Sequence, residues 1–189
     1  IGANVVIASF IGQNDEKRTS LAAHTSILML VIIGIVLLFV GFFFARPILE
    51  LMSTPDDIIN LAEVYLKIYF IGVPFVMLYN FAAAVLRSKG DTQRPLIALF
   101  IGGVINIILN LFFVIVCHLG VAGVALASMI SQFISAFLIL RALLTGKEKY
   151  CLRLSEIRFD KRKAVGILQI GIPSAFQYSL FAFANLFVQ

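Results

Sequence analysis

Two groups of uncharged polar side chains stand inside stretches that are otherwise wholly apolar. Asn106 and Asn110 lie one helical turn apart within the run Leu96–Cys117. Ser128, Ser131, Gln132 and Ser135 repeat at i, i+3, i+4 and i+7 within a second run, Ala122–Leu140. At helical spacing each group forms a single stripe. Amides and hydroxyls surrounded by hydrocarbon need partners. Four kinds are open to them: another helix, water in a cavity, a cation, or a molecule in transit.

The elements that position these stripes follow from run length. Each run exceeds the roughly 18 apolar residues that a membrane-crossing helix needs. The break between them, residues 118–121, is too short for anything but an antiparallel pair lying side by side. The two stripes therefore meet at membrane depth. The whole chain supports that solvent. It is 61% hydrophobic and only 13% charged, where a soluble domain carries about 25% charged residues. Its mean hydropathy is +1.02. The fold class is all-α integral membrane, a polytopic helix bundle.

Four complete spans are expected, at about 20–45, 58–86, 96–117 and 120–141, with partial ones at 1–12 and 164–189. Pro74 sits mid-span and predicts a kink, and Glu63 with Lys67 forms an i, i+4 pair near one interface. Arg46–Asp57, with Pro47 and Pro55, reads as a loop. Both chain ends fall inside apolar runs, so the sequence reads as an excerpt of a longer protein.

Charge sets the orientation. Thirteen of the 15 Lys/Arg residues fall in segments 13–18, 87–94 and 141–163, which alternate with loops 46–57 and 118–120, where Arg46 is the one Lys or Arg. By the positive-inside rule the basic loops 13–18, 87–94 and 142–163 are cytoplasmic, in the cell (inner or plasma) membrane. A basic surface of this kind, without interleaved aromatics, excludes nucleic acid as a partner. Cys117 and Cys151 then lie on opposite sides of the bilayer and cannot bridge. His24 and His118 read as interfacial residues at helix ends. No HExxH, paired intramembrane acids or Ser/His arrangement occurs, so an enzyme is not expected and there are no catalytic residues. All ten Asp/Glu fall in loops or at helix ends, so this region offers no carboxylate at mid-membrane for ion coupling.

At this point the residues resemble a known family. Residues 84–96 (AVLRSKGDTQRPL) resemble the loop between the fourth and fifth helices of the multidrug and toxic compound extrusion (MATE) family. Residues 106–113 (NIILNLFF) resemble its fifth helix, and 120–128 (GVAGVALAS) the start of its sixth. Gly2-Ala-Asn4 with residues 12–15 (GQND) resembles the end of its second helix, and Gly171-Ile-Pro173 with Gln177 the start of its seventh. The ordered set covers nearly the whole chain.

The resemblance implies a twelve-helix transporter of two six-helix lobes. Residues 1–141 would be part of the N-terminal lobe, from the end of helix two to helix six. Residues 142–163 would be the cytoplasmic inter-lobe loop, and 164–189 the first helix of the C-terminal lobe. Such proteins export drugs and other organic cations in exchange for Na+ or H+, by alternating access. The resemblance puts Asn106, Asn110 and Ser128 at the family's cation or substrate site, a metal site for sodium. Asn110 stands where many members carry an aspartate. An amide oxygen still ligates a hard cation, but it cannot titrate.

Read from the residues alone, the same three side chains fit interhelical bridging better than a ligand site. Gln177, Asn185, Gln189, Tyr79, Asn80 and Gln132 are candidates for a substrate cleft, with helix packing as the alternative reading. Gly102, Gly103, Gly120 and Gly123 read as close-packing positions. The alternative within the superfamily is a lipid-linked oligosaccharide flippase, which its anionic pyrophosphate cargo makes less fitting to spans with so few basic residues. The expected partners are a small organic substrate and the lipid bilayer. No cofactor is expected beyond the coupling ion, and the full-length protein is expected to be a monomer.

Overall fold

The computed structural model describes residues 16–145, with side chains from residue 24 onward, and ten positions between 165 and 181. Four long helices dominate: α1, Glu16–Leu51; α2, Ile59–Ser88; α3, Gln93–Leu111; and α4, Gly120–Thr145. A π-helical segment, Phe112–Val116, extends α3. Each helix is long and apolar enough to cross a membrane, over His24–Leu51, Ile59–Ser88, Gln93–Val116 and Gly120–Thr145. The outward faces are apolar as well. Phe39, Phe43, Phe100, Ile107 and Phe137 all stand more than half exposed, which suits contact with lipid tails rather than water. The protein is a multi-pass membrane bundle.

The four helices form a row that does not follow the chain. α2 packs against α1 on one side and against α4 on the other, and α4 in turn packs against α3. The spatial order is α1, α2, α4, α3. The buried cluster gathers at the end of the row where the 87–94 connection lies. It draws on Ile27 of α1, Phe81, Ala82 and Val85 of α2, Ala98 of α3, and Ala136, Ile139 and Leu143 of α4. Alanines at the contacts let the backbones approach, the usual device where lipid removes any hydrophobic gain from association.

The connections explain where the helices stop. Gly90 takes φ +86°, the N–H of Asp91 donates to the Leu86 carbonyl at 3.0 Å, and Gly90 N–H donates to Arg87 at 3.0 Å. That is a left-handed cap that satisfies the last carbonyls of α2. Asp91 Oδ1 then accepts from the Arg94 backbone N–H at 3.1 Å, which starts α3. Pro95 falls in the first turn of α3, where a missing donor costs nothing.

The expected loop at 46–57 is corrected. α1 continues through Pro47 to Leu51, and the turn begins only at Met52. Charge holds the extra turns. Arg46 Nε pairs with Glu50 Oε1 at 3.2 Å, and its Nη1 reaches Glu63 Oε2 at 3.3 Å and Asn60 Oδ1 at 3.4 Å across on α2. Glu63 also pairs with Lys67 at 2.6 Å, as the spacing predicted. Ser53 then takes φ +56° and closes a cap with the same bond pattern as at Gly90.

Other departures are smaller. α2 runs through Pro74 without interruption. α4 runs to Thr145, a turn into the predicted inter-lobe loop, whose remainder lies outside the described residues. His24 does not lie at a helix end. It is 2% exposed, well inside α1.

Candidate functional site

The α3–α4 seam carries the polar groups. Asn110 Nδ2 donates to Asn106 Oδ1 at 3.0 Å, which fixes the two amides along α3. Asn106 Nδ2 crosses to α4 and donates to Ser131 Oγ at 3.3 Å and Ser128 Oγ at 3.5 Å. Ser131 Oγ donates in turn to the Ser128 carbonyl at 2.9 Å. One turn further along, Ser135 Oγ donates back to the Ala98 carbonyl of α3 at 3.3 Å. Within the amide–serine chain the bonds run one way, from Asn110 through Asn106 into α4.

That direction leaves one end open. Asn110 Oδ1 is buried and has no hydrogen-bond partner among the described residues. A buried carbonyl oxygen without a donor is costly, by about 1–3 kcal/mol, and invites a donor or a cation. Asn106 is the opposite case. Both of its N–H groups are used, and its oxygen already accepts one bond.

A pocket of about 310 Å³ opens beside the seam, lined by Leu99, Gly102, Gly103 and Asn106 from α3 and by Ser128, Ser131, Gln132 and Ser135 from α4. Gly102 makes the close approach: a Cβ there would run into Ser135 Oγ. Gly103 does not. A Cβ at 103 meets nothing within 4 Å and would point into open space. The packing expectation therefore holds at Gly102, and at Gly123, where a Cβ would stand 2.9 Å from Phe113 Cβ, but not at Gly103 or Gly120. Gly120 instead takes φ +53°.

A second pocket, of about 180 Å³, lies between α2 and α4. Tyr69, Gly72 and Val76 line it from α2, and Ser128, Met129 and Gln132 from α4. Sequence reasoning missed its α2 wall, because Tyr69 and Gly72 carry no periodic polar signal.

The structure brings Asn106, Asn110 and Ser128 together as expected and adds Ser131, a closer partner of Asn106 than Ser128 is. Gln132 lines both pockets. Tyr79 lies elsewhere: it is buried, and its hydroxyl donates to the Pro95 carbonyl at 2.9 Å, tying α2 to the start of α3. Asn80 is exposed, with Nδ2 donating to the Val76 carbonyl at 2.9 Å within its own helix. Neither residue lines the two pockets beside α4. Gln177 is helical and exposed, while Asn185 and Gln189 lie outside the described residues. Among the described residues no cluster of His, Cys, Asp or Glu could hold a metal ion, and the oxygens that these residues bring to the seam are neutral amides and hydroxyls.

Comparison with known proteins gives a consistent picture. The MatE family model matches residues 1–112. The probable multidrug resistance protein YoeA of Bacillus subtilis is 30% identical over 99% of this chain, which covers 42% of that protein. YpnP of the same organism, also a probable multidrug resistance protein, is 34% identical over 88% of this chain and 37% of its own. The multidrug export protein MepA of Staphylococcus saprophyticus is 26% identical over 92% of this chain. A solved MATE structure in a bent conformation superposes with a TM-score of 0.91 at 23% identity, over 98% of this chain and 42% of that one. At that identity the likeness speaks for the fold. The chain spans about two fifths of the length of these relatives.

Proposed function

Because the chain belongs to the multidrug and toxic compound extrusion family, we propose that it supplies most of one lobe of a secondary active exporter. The exporter moves drugs or other organic, mainly cationic, compounds outward in exchange for a cation. The relatives' names, multidrug resistance and multidrug export, favour this reading over a flippase. The observation that carries it is the amide–serine seam: a hydrogen-bonded chain at mid-span whose Asn106, Ser128 and Ser131 line an open pocket, and which ends at Asn110 in the unspent acceptor Oδ1.

The chemistry of that seam suits a co-transported cation. Asn106, Asn110 and Ser128 offer oxygens to a hard ion such as sodium. They offer nothing that exchanges a proton at neutral pH. The acids at the ends of α1 and α2 are occupied elsewhere: Glu50 pairs with Arg46, and Glu63 with Arg46 and Lys67. Proton coupling would therefore need a carboxylate from outside this seam. Transport follows alternating access, with this lobe rocking against its counterpart around the polar face. The residues after Thr145, to 163, link the lobes, and 164–189 open the second one.

The test is efflux from proteoliposomes holding the full-length protein, driven separately by an imposed sodium gradient and an imposed pH gradient. Sodium is expected to drive accumulation of a fluorescent cation against its gradient. If neither gradient does so, the antiport reading fails.

Orientation in the cell membrane has its own test. Loops 13–18, 87–94 and 142–163 face the cytoplasm, so Cys117, which is exposed at the opposite end, faces out. With Cys151 changed to serine, a membrane-impermeant maleimide is expected to label intact cells at Cys117. It should fail to label a cysteine placed at Lys89 when Cys117 is also serine. The reverse pattern would invert the topology.

A further inference from the structure

The row has a second face. On α2, Tyr69, Gly72 and Val76 line the α2–α4 pocket, whereas Pro74, Phe75, Leu78 and Phe81 line a different hollow, between α1 and α2. At about 100° per residue the two sets centre roughly 165° apart, so they look out on opposite sides of the row. α4 divides in the same way. Ser128 and Gln132 belong to the polar pockets. Phe133, Phe137 and Arg141, each four residues on from the last, centre roughly 160° round from them.

The hollow is a crevice of about 130 Å³. Its α1 wall runs from Ile27 through Val31 to Ile35, and no glycine, alanine, serine or charged residue lines it. Val31 and Ile35 at its rim are 45% and 46% exposed. Close helix contacts in a membrane are made by small residues, as at Gly34 and Gly41, where α1 meets Pro74 and Phe70. A rim of branched and aromatic side chains instead holds a further helix at a distance and leaves a narrow apolar slot. A hydrocarbon chain fits such a slot.

The slot leads toward a charge. Phe75, on its edge, meets Phe133 of α4 edge-on at 5.0 Å, and Phe133 stacks on Phe137 at 6.5 Å. α2 and α4 run in the same direction, so Arg141, about 12 Å beyond Phe133 along α4, stands just past the level of Phe81. Arg141 is exposed, and no ion pair or hydrogen bond engages its guanidinium among the described residues. Arg46, Lys67 and Arg94, by contrast, all have carboxylate partners.

We propose that a phospholipid with an anionic headgroup docks on this face, with one acyl chain in the α1–α2 crevice and its phosphate on Arg141. An acyl chain gains no hydrophobic energy by leaving bulk hydrocarbon for an apolar slot. Its retention comes from dispersion contact with fixed walls and from the charged headgroup contact. Arginine suits that contact, because its guanidinium matches two phosphate oxygens at once. Arg141 lies at the same end of the bundle as the 87–94 loop, which the orientation proposed above puts in the cytoplasmic leaflet, where anionic lipids gather. The leaflet rests on that orientation; the site itself does not.

Native mass spectrometry of the purified full-length transporter, mixed with phosphatidylglycerol or phosphatidylcholine at equal concentration, reads the first lipid retained. The parent is expected to hold phosphatidylglycerol about fivefold more tightly, the value of one arginine near an anionic headgroup. Arg141→Gln should erase that preference. Val31→Trp fills the crevice from its exposed rim and should lower retention of both lipids by about tenfold, the scale of several lost methylene contacts. Ile35→Phe serves as the second filler should Val31→Trp not fold. Benzoylphenylalanine in place of Val31, photolysed in native membranes, is expected to yield a phospholipid adduct. A peptide adduct, from the same chain or a second copy, would assign the face to protein and overturn the proposal. Equal retention of the two lipids by the parent, or unchanged retention in folded crevice variants, overturns it as well. Inorganic phosphate should leave the bound lipid in place; displacement by phosphate alone would reduce the site to an anion contact and remove the crevice from it.

Discussion

Replacing Asn106 with leucine is expected to lower sodium-driven efflux by one to two orders of magnitude, roughly the value of a hydrogen bond or ligand contact to a charged group, while the protein still inserts and folds. Leucine keeps the branched heavy-atom skeleton of asparagine and removes both its donors and its acceptor. Asn110 Nδ2 loses its acceptor, and Ser131 and Ser128 lose their shared donor. If Asn106 were only a bridge, the cost would be structural and small, about 0.6 kcal/mol for an average interhelical hydrogen bond in a membrane. The two roles give opposite patterns. A functional seam predicts lost transport with thermal stability nearly intact. A bridging seam predicts a modest loss of stability with transport preserved. Thermal unfolding in detergent and vesicle efflux on the same preparation separate them. Ser131→Ala should act more strongly than Ser128→Ala, since Asn106 lies closer to Ser131.

Gly102→Leu is expected to have the largest effect on folding. Its Cβ would collide with Ser135 Oγ and would stand 3.3 Å from the Ser131 carbonyl oxygen. A backbone neighbour cannot swing aside as a side chain can. The seam would have to open, and the bond from Ser135 to Ala98 would break with it. Overpacking alone costs about 1–3 kcal/mol, and the lost bond adds to that. Little monodisperse protein should survive detergent extraction. Gly103→Leu, one residue on, is the control, because its Cβ meets nothing within 4 Å. It should fold as the parent does. Equal recovery of Gly102→Leu would show that α3 and α4 are not locked at this contact.

Most of the fold was legible because membrane helices announce themselves by length. Runs of apolar residues located all four spans, and the stripes at 106–110 and 128–135 correctly indicated that α3 and α4 would face each other. Periodicity could not choose the end of α1. Pro47 argued for a stop, yet α1 continues because Arg46 finds Glu63 on the next helix, a contact no local pattern contains. Nor could a local pattern show the partner of Tyr79. Its polarity is spent on the Pro95 carbonyl, a partner 16 residues away. The π-helical turn after Asn110 left no mark in the sequence. Nor did the α2–α4 pocket, whose walls come from helices that are neighbours only because α4 inserts between α2 and α3. The family resemblance identified Asn106, Asn110 and Ser128 as a group, but which oxygen stays unpaired depends on the direction of the hydrogen bonds.

A ribosome delivers these helices in numerical order, whereas the bundle holds them in the order α1, α2, α4, α3. While the fourth is still being made, the third waits in the bilayer with Asn106 lacking its serine partners, and the second must leave a helix-wide vacancy at its flank. Assembly of the row is therefore gated by arrival of the last helix. Variants that slow insertion of residues 120–145 should expose the unfinished three-helix stage to membrane quality control, even where every contact of the finished structure is preserved.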